Sequence, residues 1–328
     1  MIEKLERILP TVQKPARYVG GEYNQIVKDR AQVDLRVAFC FPDTYEIGMS
    51  NLGMRILYAV MNRMEGVWCE RVFAPWGDME EAMCKNDIPL YALESGDALA
   101  EFDVIAFTVG YEMSYTNILN MLRLAELPLH AADRTELKHL VIAGGACVYN
   151  PEPLADFIDL FILGEGEEVN CEVLELYRRA KREGWSKQAF LLAAMRIEGV
   201  YVPSFYRHSY GPDGRLQEIT PLHGAPERVT KRIIQHLDDA LYPTDMIVPN
   251  TEIIHDRANL EVMRGCIRGC RFCQAGFCYR PVRPRSPEVL FQQAIALLEN
   301  SGSSEITLSS LSTSDYRCLP ELADKLLD

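Results

Sequence analysis

Short apolar runs alternate with helical patterns along the middle of this chain, and each run ends on glycine or proline. Leu35–Phe41 is the first run, broken by Pro42-Asp43; Leu52, Ile56, Leu57, Val60 and Met64 then recur at helical spacing. Val104–Thr108 is a second run, followed by a helical pattern through Ile118, Leu119, Leu122 and Ala125. Residues 139–143 form a third, stopped by Gly144-Gly145, and 160–163 a fourth, stopped by Gly164-Glu165-Gly166-Glu167. A helix carrying Val169, Val173 and Leu176 comes next, and weaker strands are expected at 71–73 and 90–93. Apolar strands interleaved with helices predict a parallel sheet covered on both faces. The expected fold is therefore a doubly wound α/β domain over 35–180.

The flanks differ. Residues 1–34 predict an arm with a short helix at 2–9; Arg17-Tyr18-Val19-Gly20-Gly21-Glu22 reads as a loop without chemistry of its own. Residues 181–258 predict a connector, in which apolar stretches at 200–207 and 216–219 flank the turn Gly211-Pro212-Asp213-Gly214 and suggest a hairpin. From 259 a new pattern begins: a strand at 260–263, a cysteine loop, a helix at 287–299 with Ser286 as N-cap and Pro287 in its first turn, a strand at 305–308 and a helix at Leu319–Leu327. This β–loop–α–β–α order is the opening of a parallel barrel or half-barrel. A full barrel has about eight βα units, so 259–328 is expected to be an incomplete catalytic unit, inactive by itself, behind an α/β domain that folds well.

The cysteines carry the chemistry. Of ten, Cys40, Cys69, Cys84, Cys147 and Cys171 are scattered and read as small buried hydrophobes. Cys266, Cys270, Cys273 and Cys278 cluster, which in a reducing compartment means metal or catalysis before disulfides. Arg264-Gly265-Cys266-Ile267-Arg268-Gly269-Cys270-Arg271-Phe272-Cys273 has the spacing C-x3-C-x2-C. Three thiolates on one short loop can hold three irons of a four-iron cluster and leave the fourth open, as catalytic metal sites do. A zinc site would want a fourth ligand, for which Cys278 is the candidate. Six arginines, Arg264, Arg268, Arg271, Arg280, Arg283 and Arg285, surround the loop; they either offset its negative charge or form a solvated basic edge.

The loop, with Phe272 as the aromatic before the last cysteine, resembles the radical S-adenosylmethionine (SAM) signature. Gln274-Ala275-Gly276 and Tyr279-Arg280-Pro281 extend the match, as do the stretch Pro42-Asp43-Thr44-Tyr45-Glu46-Ile47-Gly48-Met49-Ser50-Asn51-Leu52-Gly53, Asn150-Pro151-Glu152-Pro153, and the residues from Ser309 to Tyr316. Together they resemble a bacterial family of uncharacterised radical SAM enzymes with an N-terminal cobalamin-binding-like domain. The resemblance implies a 4Fe–4S cluster on Cys266, Cys270 and Cys273, SAM on the open iron and reductive SAM cleavage to a 5′-deoxyadenosyl radical. It implies a reductant such as flavodoxin or ferredoxin, with cobalamin in the α/β domain and the substrate unassigned.

Candidate cofactor contacts follow. Phe272 lies beside the cluster, and Ser309, Ser310 and Ser312 stand where related enzymes hold the amino group of SAM. In open α/β sheets ligands sit outside the carboxyl ends of the strands, which nominates Asp43, Tyr45, Gly48, Thr108, Gly144, Gly145, Gly164 and Glu165. Cobalt-ligating domains carry D-x-H-x-x-G after the first strand, and here Tyr45 stands at the histidine. Either cobalamin binds without a protein ligand, or this domain has another role. Two alternatives from other classes are a non-catalytic iron–sulfur redox or binding protein and a zinc-stabilised interaction module.

Composition sets the remaining bounds. A net charge of −13 argues against general nucleic-acid binding. No apolar run approaches the ~18 residues that span a bilayer, and Met1-Ile2-Glu3-Lys4-Leu5-Glu6 lacks a signal-peptide layout. A soluble cytoplasmic protein without membrane contact is expected.

Overall fold

The computed structural model describes residues 2–327. After α1 (Ile2–Ile8) and three single 3-10 turns, the α/β domain runs β1 (Leu35–Phe41), α2 (Tyr45–Met49), α3 (Leu52–Asn62), β2 (Val67–Phe73) and α4 (Gly77–Lys85). It continues through β3 (Val104–Thr108), α5 (Tyr115–Leu124), β4 (Leu140–Gly144), β5 (Leu160–Ile162), α6 (Gly166–Glu183), α7 (Lys187–Ala194) and β6 (Val200–Tyr201). The strands form one sheet in the order β2-β1-β3-β4-β5-β6, parallel except for β6. Every residue of β2 is buried, and so are all but Arg36 in β1; β1 therefore reads as an apolar run, whereas β2 carries Glu70 and Arg71 in its middle and extends four residues before the weak strand expected at 71–73.

A hairpin of β7 (Tyr206–Tyr210) and β8 (Leu216–Pro221) follows. The last unit comprises β9 (Ala258–Glu261), β10 (Met263–Arg264), α8 (Ala275–Cys278), β11 (Arg283–Pro284), α9 (Pro287–Ser301), β12 (Ile306–Ser309) and α10 (Leu319–Leu327). Strand β9 pairs parallel with β12, and β10 antiparallel with β11. The Ser286 side chain accepts from the Val289 amide and caps α9.

Helix α3 joins the two units. Its Met54, Tyr58 and Met61 belong to the core of the large sheet. Its Ile56 and Val60 belong to a second core with Leu260, Val262, Leu290 and Leu297. One helix, apolar on two faces, therefore serves both cores.

Several expectations are corrected. Residues 90–93 form no strand; Tyr91 makes a single bridge to Ala98. The expected boundary at 180 falls short, because β6 at Val200–Tyr201 closes the edge of the large sheet and only residues from Tyr206 onward form the hairpin. Helix α2 had no sequence signal. Cys84 is exposed and Cys171 half-buried, whereas Cys40, Cys69 and Cys147 are buried.

The arm is also more than a loop. Leu5, Ile8, Val12 and Tyr18 are part of the main core, and Glu22 makes an ionic contact that is buried on both sides. Arg71 on β2, 1% exposed, donates to Glu22 Oε1 and Oε2 at 2.9 Å each and to Glu94 Oε1 at 2.6 Å. Burial alone would push the guanidinium down, but the Glu94 and Glu22 carboxylates hold it well above its ordinary value. A buried charge stripped of a partner costs about 3–5 kcal/mol. Glu22→Ala is therefore expected to lower stability by about 3 kcal/mol in urea unfolding. An unchanged midpoint would show that Glu22 does not anchor the arm.

Candidate functional site

The carboxyl ends of β3, β4 and β5 face the end of the second unit across a cavity of about 510 Å³. From the large sheet it is lined by Phe39, Thr108, Gly144, Gly145, Gly164 and Glu165, from α3 and α6 by Asn51, Leu57, Glu167 and Asn170, and from the second unit by Glu261, Arg264, Gly265, Tyr279, Ser309 and Ser310. Because β1 lies between β2 and β3, a crossover reverses there, which is where doubly wound sheets open a crevice for ligands.

The cysteine loop leaves the rim of this cavity. Gly265 lies at φ +83°, and a Cβ there would stand 2.7 Å from the Pro281 carbonyl oxygen and 2.9 Å from that of Tyr279. Only glycine fits this turn between β10 and the first cysteine. Cys266 and Cys273 are half-buried and Cys270 is exposed. The Cys273 amide donates to the Cys270 carbonyl at 3.0 Å, and the Arg268 amide lies 3.5 Å from Cys266 Sγ. Phe272 is 93% exposed. Among the described residues no three His, Cys, Asp or Glu side chains converge on one point as ligands of a single ion. A four-iron cluster takes each thiolate on a different iron, so three thiols spread round one tight loop suit its donor chemistry. Cys278 ends α8, and its carbonyl accepts from Tyr149 Oη at 3.1 Å and Lys231 Nζ at 2.7 Å.

The six arginines divide. Arg268 pairs with Asp315 at the surface, Arg280 lies over the Phe277 ring and Arg271 is exposed. Arg264, Arg283 and Arg285 form neither a solvated edge nor a screen for the loop, because each is turned inward to carboxylates. Arg283 Nη1 and Nη2 each donate to Glu165 at 2.6 Å. Arg264 reaches Glu167 at 2.6 Å and Glu261 at 2.8 Å. Arg285 donates to the Leu237 carbonyl and lies 3.3 Å from Glu261. Glu165 and Glu167 belong to the first unit and the arginines to the second, so this cluster clasps the two units at the cavity wall.

The nominated residues separate accordingly. Thr108, Gly144, Gly145, Gly164, Glu165, Ser309 and Ser310 line the cavity; Asp43, Tyr45, Gly48, Phe272 and Ser312 do not. Tyr45 is the clearest correction. Helix α2 turns it into the core, 1% exposed, where its hydroxyl donates to Glu22 at 2.9 Å and its ring meets Phe73 edge-on. Gly48 packs against the Phe73 ring. Asp43 accepts from the Tyr111 hydroxyl, a bond that pushes the phenol up to about 12 and ties the loops after β1 and β3 together. Ser312 donates to Asp315 at 2.6 Å. Gly164 serves a different approach from the expected one: a Cβ there would stand 2.1 Å from the Arg232 carbonyl oxygen, so it admits the connector's own backbone.

Asn170 and Glu261 escaped the sequence reading, while Asn51, Glu167, Arg264 and Tyr279 were noted there only within longer stretches and not as cavity contacts. Glu261 ends β9, and the rule of carboxyl strand ends would have found it. Asn51 and Asn170 gave no signal, being a helix cap on α3 and one turn into α6.

The clasp has a pH signature. Burial pushes the Glu165 carboxyl up, but the hydrogen bonds from Arg283 and the charge of Arg264 outweigh it, and the net shift is downward from 4.5. A lowered carboxyl contributes stability above its unfolded value and loses it as pH falls through the folded one. The wild type is expected to exceed Glu165→Gln by about 3 kcal/mol at neutral pH. That margin should shrink once the pH drops below 4.5. Urea midpoints of both proteins across acidic pH test this; a margin independent of pH would contradict it.

Known proteins resemble this chain in sequence and in fold. Residues 53–203 match the family model described as radical SAM proteins, N-terminal. The uncharacterized protein MJ0966 of Methanocaldococcus jannaschii is 25% identical over 295 residues, 89% of this chain and 52% of that protein. Two structures of the radical SAM methyltransferase TsrM from Kitasatospora setae, one with tryptophan and a SAM analogue and one with cobalamin and a 4Fe–4S cluster, superpose at TM-score 0.52 and 14% identity. Each superposition covers 89% of this chain and 50% of TsrM, so the chain spans about half the length of the relatives it matches. Among the described residues no helix is long and apolar enough to cross a membrane. Residues 53–203 thus match the model of the N-terminal family of radical SAM proteins, and the fold of the chain is similar to that of the TsrM structures.

Proposed function

We propose that the chain belongs to a radical SAM enzyme in which Cys266, Cys270 and Cys273 hold three irons of a 4Fe–4S cluster and leave the fourth to SAM. One observation carries this reading: Gly265, which opens the cysteine loop, lines the same cavity as Thr108, Gly144 and Gly145 at the strand ends of the α/β domain. Bound, the cluster would supply the electron that cleaves the SAM sulfonium. Ser309 and Ser310 offer hydroxyl and carbonyl acceptors at the cavity wall for the amino group of SAM. Phe272 and Ser312 are assigned to the same cofactor by their place in the loop and after β12. A reductant such as flavodoxin or ferredoxin would meet the exposed side of the loop, where Cys270 and Phe272 lie open.

We assign cobalamin to the cavity of the α/β domain, with methyl transfer as the reaction class, on the likeness of the fold to TsrM. Apolar Phe39, Leu57 and Ile142 and polar Asn51 and Asn170 supply a mixed wall for a large ligand with amide side chains. Among the described residues no histidine lines this cavity, and Tyr45 is bonded to Glu22 away from it. The cofactor would therefore bind base-off with no protein ligand on cobalt.

Cys266→Ala, Cys270→Ala and Cys273→Ala are each expected to abolish cluster assembly in anaerobically reconstituted protein, measured by iron, sulfide and visible absorption, while Cys278→Ala keeps it. Loss of iron in the Cys278 variant equal to that in the other three would overturn the open-iron assignment. For the second cofactor, the absorption and electron paramagnetic resonance spectra of bound cob(II)alamin should lack nitrogen hyperfine coupling from a protein ligand, and Tyr45→Phe should leave them unchanged. Nitrogen coupling from a histidine, or no binding at all, would remove the cobalamin assignment and leave the cluster assignment standing.

A further inference from the structure

A second, smaller cavity of about 90 Å³ lies behind the arm, between α3 and the connector segment around Met246. It is several times the ~10–15 Å³ that admits one water. Three arginines line it, and they differ in how their charge is met. Arg71 is saturated by Glu22 and Glu94. Arg55 and Arg63 have no carboxylate within ion-pair distance among the described residues.

Arg55 is the unusual one. Its Nε donates to the Met49 carbonyl at 2.7 Å, and the nearest acceptor for Nη1 is the Met246 thioether at 3.9 Å. A guanidinium carries five N–H donors in a planar fork, and among the described residues only Nε and Nη1 of Arg55 have partners, while the side chain borders the cavity. Arg17, Arg71, Arg232 and Arg264 are all raised by carboxylate partners. Arg55 is instead pushed down by burial, with Arg71 adding to the fall, which Tyr45, Tyr242 and Asp256 do not offset. Arg55 is half-buried with no carboxylate partner among the described residues, and it shares the cavity wall with the exposed Arg63, so two guanidiniums without ion pairs border one small cavity.

We propose that this cavity binds a small oxyanion of the phosphate or carboxylate class, held by the fork of Arg55 and by Arg63. Guanidinium forks match the paired oxygens of both classes. The ion would tie the arm, α3 and the connector into one block, on the opposite side of α3 from the large cavity. Asp245 is exposed at the mouth and works against anion entry.

The test uses thermal unfolding and calorimetric titration of the 328-residue chain in phosphate-free buffer, with inorganic phosphate and acetate as probes and sodium chloride at matched ionic strength as control. A saturable rise in Tm with one of the probes is expected, following the logarithm of ligand over Kd. Preference for phosphate or acetate decides between the two classes. Arg63→Gln, at an exposed position, should weaken binding roughly tenfold, Arg55→Met should abolish it, and Asp245→Asn should tighten it several-fold. No saturable response in the wild type overturns the proposal. So does a response of equal size in Arg63→Gln, which would reduce the effect to general salt exclusion and needs no folded Arg55 variant to be seen.

Discussion

The carboxylate of Glu165 meets two guanidiniums from the other end of the chain, bidentate from Arg283 at 2.6 Å and longer from Arg264 at 3.6 Å. Removing three such charges from water costs several kcal/mol per ion, which only near-ideal geometry offsets. Here the geometry is of that kind, since the fork of Arg283 is matched to both carboxylate oxygens and Ile234 supplies a backbone donor and a carbonyl acceptor. An apolar seam would hold two units together in many registers. A clasp of paired charges is satisfied in one. Gly265, where the cysteine loop leaves the cavity wall, follows Arg264 of that clasp directly.

The large sheet supplies the fixed frame and α3 the hinge of the arrangement. The register of β1 against β2 and β3 sets the loops after these strands at one edge. The side chains of α3 then divide between two cores, so any shift of the second unit would disturb the first. The site is rigid on the α/β side and open on the cysteine side, where Cys270 and Phe272 face solvent.

Much of the frame was legible in the sequence, because fully buried parallel strands announce themselves as apolar runs. β1, β3 and α10 fall on the expected residues, and β4, β5 and β12 within one or two. Residues 90–93 misled because an apolar run in a loop packed on the core has the same composition as a strand. The site was legible where chemistry is carried by spacing, as in the cysteine loop, and where strand ends meet the cavity, as at Thr108 and Gly144. It was illegible where a contact joins distant segments. Nothing in the local sequence of Tyr45 tells that Glu22 takes its hydroxyl, and nothing around Arg283 tells that its partner lies 118 residues earlier. The arginine cluster read as a surface feature because its carboxylates were out of view.

Asn24 has a consequence for how such a chain is made. It stands in the left-handed region at φ 65°, and its side-chain amide donates to the carbonyls of Met246 and Asn300, both at 3.1 Å. The second acceptor lies 276 residues further along. During synthesis Glu22 meets Tyr45 and Arg71 as soon as β2 has emerged, yet Asn24 finds its second acceptor only when the last turn of α9 is made. The arm is thus seated on the sheet early and latched to the second unit late.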